Sequence, residues 1–411
     1  MEQFLKDAKD ASGIASTLSG AIKNKVLNDM ADSLLENISR IENENKKDIE
    51  SGKENNLSSA LIDRLLLNET RISDMATAIR DIAALKEPVG KIHEGWTTDS
   101  GLNIQKVSVP IGVIGIIYES RPNVTSDTAA LCLKSGNVCI LKGGKEALHS
   151  NTIIAQVLQE ALIKNNLPKA LVSLLPDSSR EAVANLIKQD EYVDLIIPRG
   201  GSALIKYISS NASVPVVKHD KGLCHTYIHK DANIQKAIDV SINAKCRRAG
   251  ICGAMETMLV DNEIATTILP LLKDEFDKYN TELRGCDKTQ AILDINKADS
   301  SDWEEEYLDN ILSIKIVENV KEAISHIRQY GSDHSDAIIT ENYTDAETFL
   351  NSVDSACVYL NASTQFTDGG QFGFGAEVGI STNKLHARGP MGINELTTYK
   401  FKILGNGQTR P

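Results

Sequence analysis

The chain has 411 residues, of which 41% are hydrophobic and 24% charged, a balance typical of a globular protein with about two or three domains. Its net charge of -12 disfavours binding to nucleic acid and to anionic membrane surfaces. No stretch approaches the roughly 20 apolar residues of a membrane span, and the N-terminus lacks a basic start followed by an apolar run, so we expect a cytoplasmic protein.

The N-terminal part of the chain is predicted to be helical. Apolar residues recur at helical spacing over 14–41, which predicts one amphipathic helix. Residues 42–56 are almost entirely polar and contain Ser51-Gly52, which favours a break. A second helical region is expected over 57–85, because Pro88 follows it.

The pattern of apolar residues changes near Val109. The preceding stretch, 91–109, alternates in polarity and predicts a hairpin. Beyond it, short β-branched runs alternate with helical patterns, which is typical of an α/β fold built on parallel sheets that bind ligands at the carboxyl ends of their strands. The strands expected in a first unit are 111–118, 138–141, 171–175, 193–197, 214–217 and 225–228. A second unit is expected after residue 231, with helices over 234–245 and 264–276 and strands over 257–260, 337–340 and 356–360.

Cys252 has the surroundings of a reactive cysteine. It lies between Gly250 and Gly253, shortly after the basic residues Lys245, Arg247 and Arg248. Nearby cations favour the thiolate, which is the nucleophilic form, and small neighbours let a carbonyl group approach the sulfur. The pattern therefore indicates a cysteine that holds an acyl group. A buried structural cysteine is the alternative that the spacing leaves open.

Glycine-rich turns follow two of the predicted strands. Lys142-Gly143-Gly144-Lys145 follows the first, and Pro198-Arg199-Gly200-Gly201-Ser202 follows the second and opens a helix. Glycines let backbone N–H groups approach a phosphate, and the start of a helix favours an anion. Neither turn has a recognised dinucleotide or Walker motif, so each could be a plain strand–helix turn. Two such turns at one edge of a sheet favour a nucleotide.

Polar residues follow a further strand end and recur near the C-terminus. Pro122 extends the backbone of Arg121, and Asn123 could donate its amide to a developing oxyanion. Near the C-terminus, a glycine-rich stretch over 368–375 precedes His386-Ala387-Arg388-Gly389, which suits an anionic substrate. A polar turn and a flexible loop are the respective alternatives.

The cysteines do not indicate disulfides or a metal. All seven lack C-x-x-C pairing and a repeating spacing. The pattern is typical of reduced cytosolic thiols, so we expect neither a disulfide framework nor a bound metal.

In combination, these segments resemble the aldehyde dehydrogenase superfamily over nearly the whole chain. The resemblance is carried by residues 112–125, 141–147, 198–201, 252–257, 334–338 and 374–392. It implies an α/β subunit in three parts: a cofactor-binding domain (1–90 and 110–230), a catalytic domain (231–394) and a small oligomerisation sheet (91–109 and 395–411).

The resemblance also implies roles for individual residues. It makes Cys252 the nucleophile and places Asn123 in the oxyanion hole with the Cys252 backbone N–H. The cofactor-binding residues that it implies are Lys142, Gly143, Gly144, Lys145, Gly200, Gly201, Ser202 and Glu306. The substrate-binding candidates are Arg121, Arg248, His386 and Arg388, because arginine pairs bidentately with both phosphate and carboxylate.

Within the superfamily, the chain is similar to members that reduce gamma-glutamyl phosphate with NADPH to glutamate 5-semialdehyde and phosphate through a cysteine thioester, the second step of proline biosynthesis from glutamate. Residues 217–222 lack the general-base glutamate of the aldehyde-oxidising relatives. Its loss protects a thioester from water. Cys246 stands where threonine is expected, either as a tolerated small side chain or as a disulfide partner of Cys252 under oxidation.

Two other functions stay open. One is a CoA-acylating or aldehyde-oxidising dehydrogenase of the same superfamily, and the other is a non-catalytic oligomeric scaffold. The resemblance implies a homo-oligomer, either a dimer or a tetramer, and a transient gamma-glutamyl kinase partner that hands over the labile acyl phosphate. Neither a nucleic-acid nor a membrane partner is expected.

Overall fold

A computed structural model describes residues 1–218 and 221–410, and its alternating helices and parallel sheets confirm the predicted α/β class. Its helices are α1 (Glu2–Ala15), α2 (Gly20–Glu36), α3 (Ile38–Glu54), α4 (Ser59–Leu65), α5 (Glu69–Ala84), α6 (Asn123–Lys134), α7 (Leu148–Lys164), α8 (Arg180–Leu186), α9 (Ser202–Asn211), α10 (Ile234–Cys246), α11 (Asn262–Asp277), α12 (Asp287–Gln290), α13 (Val320–Tyr330) and α14 (Tyr343–Ser352). Within the described ranges, none of these helices combines the length and the apolar character needed to cross a bilayer.

The strands begin and end close to the predicted apolar runs in most cases. They are β1 (Ile92–Thr97), β2 (Asn103–Pro110), β3 (Val113–Tyr118), β4 (Val138–Lys142), β5 (Val172–Leu174), β6 (Leu195–Arg199), β7 (Cys224–Ile228), β8 (Met255–Asp261), β9 (Glu282–Gly285), β10 (Asn296–Lys297), β11 (Ile311–Val317), β12 (Ser335–Ile339), β13 (Cys357–Leu360), β14 (Gly379–Ser381), β15 (Gly389–Met391) and β16 (Thr397–Leu404). The strand predicted over 214–217 is wrong, because Val216 forms only an isolated bridge with Ile196.

The single helix predicted over 14–41 is wrong. The chain forms the end of α1, all of α2 and the start of α3 there, with breaks before Gly20 and at Asn37. The Ser19 hydroxyl oxygen accepts a hydrogen bond from the Ile22 N–H at 3.3 Å and so caps the start of α2. A capping serine satisfies a backbone donor that the helix itself cannot, which favours a new helix start at this point.

The break predicted within 42–56 is also wrong, because these polar residues form most of α3. Two buried polar side chains tie the helix to its neighbours. Asn45 Nδ2 donates to the Ser150 hydroxyl at 3.0 Å, and Asp48 accepts from the Ser150 N–H at 2.7 Å. Tertiary hydrogen bonds therefore hold a helix that its apolar pattern does not predict.

The described chain packs as two compact units. Residues 1–218, 373–379 and 391–410 form the first, which contains a four-stranded parallel sheet in the order β5-β4-β3-β6. In its register, Ile116 of β3 pairs with Leu141 of β4 and with Ile197 of β6. The parallel register brings the turns that follow β3, β4 and β6 to the same edge of the sheet.

The first unit also carries a three-stranded antiparallel sheet in the order β1-β2-β16. The hairpin predicted over 91–109 is confirmed, since β1 pairs with β2. On β16, the side chains of Tyr399, Phe401 and Ile403 are exposed. The two compact units are defined by packing alone, whereas the three predicted domains are defined by function. The three-part division and the oligomerisation role of this sheet therefore stay predictions.

The second unit comprises residues 221–372 and 380–390. Its parallel sheet has seven strands in the order β10-β9-β11-β8-β7-β12-β13. The apolar face of α11 packs into its core through the buried Ile268, Leu269 and Leu272. Cys252 lies in the connection between α10 and β8, and therefore at the amino end of β8 rather than at a carboxyl strand end.

Candidate active site

Cys252 lies on a short connection that we call the Cys252 loop, residues 247–254. The loop begins where α10 ends at Cys246 and ends where β8 begins at Met255. Cys252 itself is half-buried. A hydrogen bond of 2.9 Å from the Ala254 N–H to the Ile251 carbonyl oxygen turns the chain around the cysteine.

The main chain of Cys252 is held by residues 222–224. A Cβ added to Gly222 would lie 2.2 Å from the carbonyl oxygen of Cys252 and 2.5 Å from its Cα, so only glycine fits there. The Cys224 thiol donates to the same carbonyl oxygen at 3.1 Å. Burial raises the pKa of Cys224 well above its usual range, so this sulfur keeps its proton and stays a donor. The backbone of the candidate nucleophile is thereby fixed.

A buried ion pair joins the two ends of the Cys252 loop. Lys245 Nζ lies 2.6 Å from Glu256 Oε2, and the two side chains are 0% and 1% exposed. Burial raises the pKa of Glu256 to about 7 and lowers the pKa of Lys245, while each charge opposes the shift of the other. The Glu256 carboxylate therefore offsets the expected stabilisation of the Cys252 thiolate by Lys245. The other two basic residues of the run, Arg247 and Arg248, are exposed to solvent.

Glu306 lies beside the same glycine as Cys252. Its Oε1 accepts a hydrogen bond from the Gly222 N–H at 2.9 Å. Burial raises the pKa of this half-buried carboxyl group above its usual value. Gly222 thus contacts both Glu306 and Cys252. The sequence predicts Glu306 and Cys252 as site residues, but not Gly222.

The C-terminal candidates surround an aspartate. Arg388 donates to Asp354 through two groups, from Nη1 to Oδ1 at 2.8 Å and from Nη2 to the main-chain oxygen at 2.6 Å. Lys384 pairs with the same carboxylate, and together the hydrogen bonds from Lys384 and Arg388 lower the pKa of Asp354 to about 2. His386 is exposed and has a φ of 68°. Part of the Arg388 guanidinium is therefore already bound within the protein.

In the first unit, the three turns at the carboxyl edge of the parallel sheet are linked by hydrogen bonds. Glu119, after β3, accepts from the Gly201 N–H, after β6, at 3.0 Å. Ser120 donates to Glu146, which follows β4, at 2.8 Å. The predicted convergence of the glycine turns at one sheet edge is thus present.

The turn after β4 is closely packed. Lys142 is buried, and its pKa is lowered by burial, whereas Lys145 is exposed. A Cβ added to Gly143 would lie 2.1 Å from Asn151 Nδ2, so a larger residue there would force the buried Asn151 side chain to shift. That buried Nδ2 atom has no hydrogen-bond partner among the residues that the structure describes. After β6, Gly201 and Ser202 are exposed and Gly200 is partly exposed.

Asn123 begins α6 and is exposed, as is Arg121. Its Nδ2 atom donates to Asp127 Oδ2 at 2.9 Å, one helical turn further on. Burial raises the pKa of Asp127 to about 6. Asp127 thus orients the amide of Asn123 through a contact that the sequence does not predict.

The structure groups the expected residues within each unit. Cys252, Arg248, Glu306, His386 and Arg388 belong to the second unit. The glycine turns with their lysines, Arg121 and Asn123 belong to the first. His219 and Asp220, part of the stretch that lacks the general-base glutamate, lie outside the described residues. In the described ranges, no group of three or more His, Cys, Asp or Glu side chains is placed to hold a metal ion.

Sequence reasoning missed Gly222, Cys224 and the pairing of Lys245 with Glu256. One signal was available for the pair. Glu256 is the second residue of β8, a strand whose 7 residues are all buried. A carboxylate in such a strand needs a buried cation, and Lys245 is close in sequence. The contact of Gly222 with Cys252 spans 30 positions of sequence and leaves no local signal.

Comparison with known proteins places the chain in a family. Residues 1–298 match the model of the aldehyde dehydrogenase family. The gamma-glutamyl phosphate reductase of Nautilia profundicola is 65% identical to the chain and aligns over 100% of both sequences. The crystal structure of a gamma-glutamyl phosphate reductase from Thermotoga maritima is 46% identical, covers 100% of this chain and 99% of its own, and gives a TM-score of 0.98. An acetylating aldehyde dehydrogenase from Geobacillus thermoglucosidasius, 19% identical over 100% of this chain and 97% of its own, shares the fold with a TM-score of 0.69.

The chain belongs to the aldehyde dehydrogenase family, a class of oxidoreductases. Within that family, relatives that are 65% identical and align over 100% of both sequences, from Nautilia profundicola and Sulfurimonas denitrificans, are gamma-glutamyl phosphate reductases.

Proposed function

We propose that this protein reduces gamma-glutamyl phosphate to glutamate 5-semialdehyde and phosphate, with NADPH as the reductant and through a thioester on Cys252. This reaction is the second step of proline biosynthesis from glutamate. The observation that carries the proposal is the fixed main chain of Cys252, held by Gly222 and Cys224, in a chain that matches gamma-glutamyl phosphate reductases from end to end.

The first half of the reaction is an acyl transfer to sulfur. The Cys252 thiolate attacks the acyl carbon, and a carbon–sulfur bond forms while the carbonyl oxygen becomes an oxyanion. The backbone N–H of Cys252 and, as the resemblance implies, the amide of Asn123 donate to that oxyanion. When the oxyanion collapses, the carbon–oxygen bond to phosphate breaks, and phosphate leaves with the bonding electrons.

The second half releases the aldehyde. Bound NADPH would supply a hydride to the thioester carbonyl. The same N–H donors stabilise the new oxyanion, and its collapse breaks the carbon–sulfur bond. Cys252 is then regenerated as the thiolate, ready for a further turnover. Because no glutamate stands at residues 217–222 to activate water, the thioester is protected from hydrolysis in the meantime.

The residues at the sheet edge fit a dinucleotide. A Cβ on Gly143 would displace the adjacent Asn151 side chain, whose Nδ2 is an orphaned buried donor within the described ranges. An orphaned donor beside a glycine turn suits an oxygen-rich ligand. We propose that Lys142, Gly143, Gly144 and Lys145 hold it together with the turn Gly200-Gly201-Ser202. Glu306 would hold the nicotinamide ribose, as the resemblance implies. Family membership supports a nicotinamide cofactor, and the choice of NADPH over NADH is part of the proposal.

Lys145 supplies a test of cofactor choice. It is exposed at the turn after β4, where its ammonium group can meet a 2′-phosphate. Lys145→Ala is expected to raise the KM for NADPH about tenfold, since an exposed charge-assisted contact is lost, and to leave the KM for NADH nearly unchanged. Steady-state kinetics with both cofactors measures the ratio. Lys145→Arg is the control that keeps the charge, and an unchanged preference in Lys145→Ala contradicts the assignment.

Arg388 supplies a test of substrate binding. We propose that Arg121, Arg248, His386 and Arg388 bind the phosphate and the α-carboxylate of the substrate. Arg388→Ala is expected to raise the KM for the acyl phosphate or the semialdehyde about tenfold or more, because a bidentate cation is removed.

The matched control for Arg388 is Lys384→Ala. Lys384 and Arg388 share the Asp354 carboxylate, so both variants loosen the same segment. Only Arg388→Ala removes the guanidinium. Equal KM values for the two variants would show that the segment matters and the Arg388 side chain does not bind substrate.

We further propose a cytoplasmic homo-oligomer assembled through the small antiparallel sheet. The support is the exposed apolar row Tyr399, Phe401 and Ile403 on the edge strand β16, which an isolated subunit would leave in water. Transient contact with gamma-glutamyl kinase would shorten the exposure of the acyl phosphate to water.

The reverse reaction tests the proposed function. Glutamate 5-semialdehyde and NADP are mixed with the enzyme in the presence of phosphate, of coenzyme A or of neither, and nicotinamide absorbance is followed. The proposal predicts NADPH formation that depends on phosphate. Formation that depends on coenzyme A, or that needs no acceptor, would instead show an acylating or a hydrolytic dehydrogenase. No reaction with any acceptor would favour a scaffold.

A further inference from the structure

We infer that Lys245 and Glu256 are positioning residues, whose buried ion pair closes the Cys252 loop at its base and so sets the place of the nucleophile. The inference rests on the proposed role of Cys252. Neither residue is expected to touch the substrate, because both are fully buried.

The pair stands at the two points where the loop leaves regular structure. Lys245 is in the last turn of α10, and Glu256 is the second residue of β8, just after the loop. Their contact of 2.6 Å closes a ring of main chain that contains Cys252. A cation also suits the C-terminal end of a helix, where backbone carbonyls carry a partial negative charge.

Both members of the pair have further partners. Glu256 Oε1 accepts from the Leu308 N–H at 3.4 Å, and Lys245 Nζ lies 5.9 Å from the centre of the Tyr307 ring. The ion pair thus also ties the loop to the segment that carries Glu306. Leu308 has a φ of 52°, which is an uncommon backbone conformation for a leucine, and it is held in place by this same hydrogen bond.

A second set of contacts holds the interior of the loop without replacing the pair. Gln365 Nε2 donates at 3.3 Å to the carbonyl oxygen of Arg248 in the loop, and at 2.9 Å to that of Ala244, which lies in α10 before the loop begins. Thr364 donates to the carbonyl oxygen of Gly253 at 2.7 Å. These bonds fix carbonyls along the loop, whereas the ion pair fixes the distance between its ends. The loop is therefore restrained at its base and along its length.

Stability alone does not account for the pair. Two charges lose much of their hydration when they are buried, and apolar side chains of similar volume usually stabilise a protein as well or better. A hydrogen-bonded ion pair differs from an apolar contact in its directionality, since it accepts one geometry and rejects others. A displacement of about 1 Å at a reacting atom can cost about a hundredfold in rate, so a directional contact at the base of the loop has value for catalysis.

The experiment separates positioning from stability with an apolar replacement. In Lys245→Met/Glu256→Leu, no unpaired charge remains, so the thermal midpoint is expected to stay close to that of the wild type. The rate of alkylation of Cys252 by iodoacetamide, followed by peptide mass spectrometry, is expected to fall about tenfold or more, and kcat is expected to fall with it while KM changes less than about twofold. A double variant with the wild-type alkylation rate and kcat overturns the inference.

Two further variants complete the design. Lys23→Met removes another fully buried lysine, which pairs with Glu87 in the first unit, and it is expected to lower the thermal midpoint without changing the alkylation of Cys252. If the double variant does not fold, the isosteric Glu256→Gln takes its place. The inference then predicts a smaller fall in the alkylation rate, of about threefold or more, and an unchanged rate overturns it.

Failure of this inference can be distinguished from failure of the proposed function. If wild-type Cys252 is alkylated no faster than Cys246, which is also half-buried and lies at the end of α10, the proposed nucleophile is wrong. If wild-type Cys252 reacts fast and the variants react equally fast, only the positioning role is wrong.

Discussion

Cys252→Ser is expected to lower the phosphate-dependent activity by about a thousandfold or more. The hydroxyl group of serine is far less acidic than a thiol, and it is a poor nucleophile without an adjacent general base. The side chain keeps nearly the same size, and the loop contacts of Cys252 through its carbonyl oxygen are unchanged in the variant. The loss should therefore fall on kcat, and the melting temperature should stay near that of the wild type. Steady-state kinetics and thermal unfolding of the purified variant measure both quantities.

The matched control is Cys246→Ser, a few residues away. Cys246 is half-buried and its sulfur lies 3.4 Å from the Thr281 hydroxyl, a contact that serine can keep. Its pKa is raised by burial, so it is not expected to supply a thiolate at neutral pH. Nearly full activity is therefore expected. If Cys246→Ser lost activity and Cys252→Ser kept it, the nucleophile would have been assigned to the wrong cysteine.

Gly222→Ala is expected to reduce kcat about a hundredfold. The added methyl group would lie 2.2 Å from the carbonyl oxygen of Cys252, and both atoms belong to backbone or sit directly on it, so a side-chain rotation cannot relieve the clash. The main chain of Cys252 must then move by a distance that disrupts the attack geometry. A stability loss of about 1–3 kcal/mol should accompany it, as for other overpacked sites. Kinetics and denaturant unfolding of the variant measure the two effects.

Gly250→Ala provides the comparison within the same loop. A Cβ at Gly250 would lie 3.5 Å from the Leu308 carbonyl oxygen, which is an ordinary van der Waals contact. Its activity is expected to stay within about twofold of the wild type, because tolerated surface substitutions change little. Similar losses in Gly222→Ala and Gly250→Ala would mean that the loop tolerates no added side chain, and the specific contact of Gly222 with Cys252 would not be the cause.

Much of the fold can be read from the sequence because buried parallel strands leave a local signal. Val113–Tyr118 and the first four residues of Val138–Lys142 are apolar runs, and both segments are strands close to where the pattern predicts them. The glycines after β4 and β6 are also a local signal, since they mark where these strands end. The surroundings of Cys252 are also local, since its glycines and basic neighbours lie within a few residues.

Other features depend on contacts that are distant in sequence. The polar helix α3 is held by hydrogen bonds from Asn45 and Asp48 to Ser150, about 100 residues away, so its own pattern could not reveal it. The strand expected over 214–217 has the right composition, but it finds only one bridge partner. Burial also reverses the meaning of Lys245, which looks like part of an exposed basic run in the sequence and is fully enclosed in the structure.

In the proposed reaction, Cys252 carries the acyl group as a thioester that only phosphate releases efficiently. The most direct test is to mix the enzyme with glutamate 5-semialdehyde and NADP in phosphate-free buffer. We expect a burst of about one NADPH per subunit, a gamma-glutamyl adduct on the peptide that contains Cys252, and renewed turnover when phosphate is added. Continuous turnover without phosphate, or an adduct on another residue, would contradict the proposed reaction.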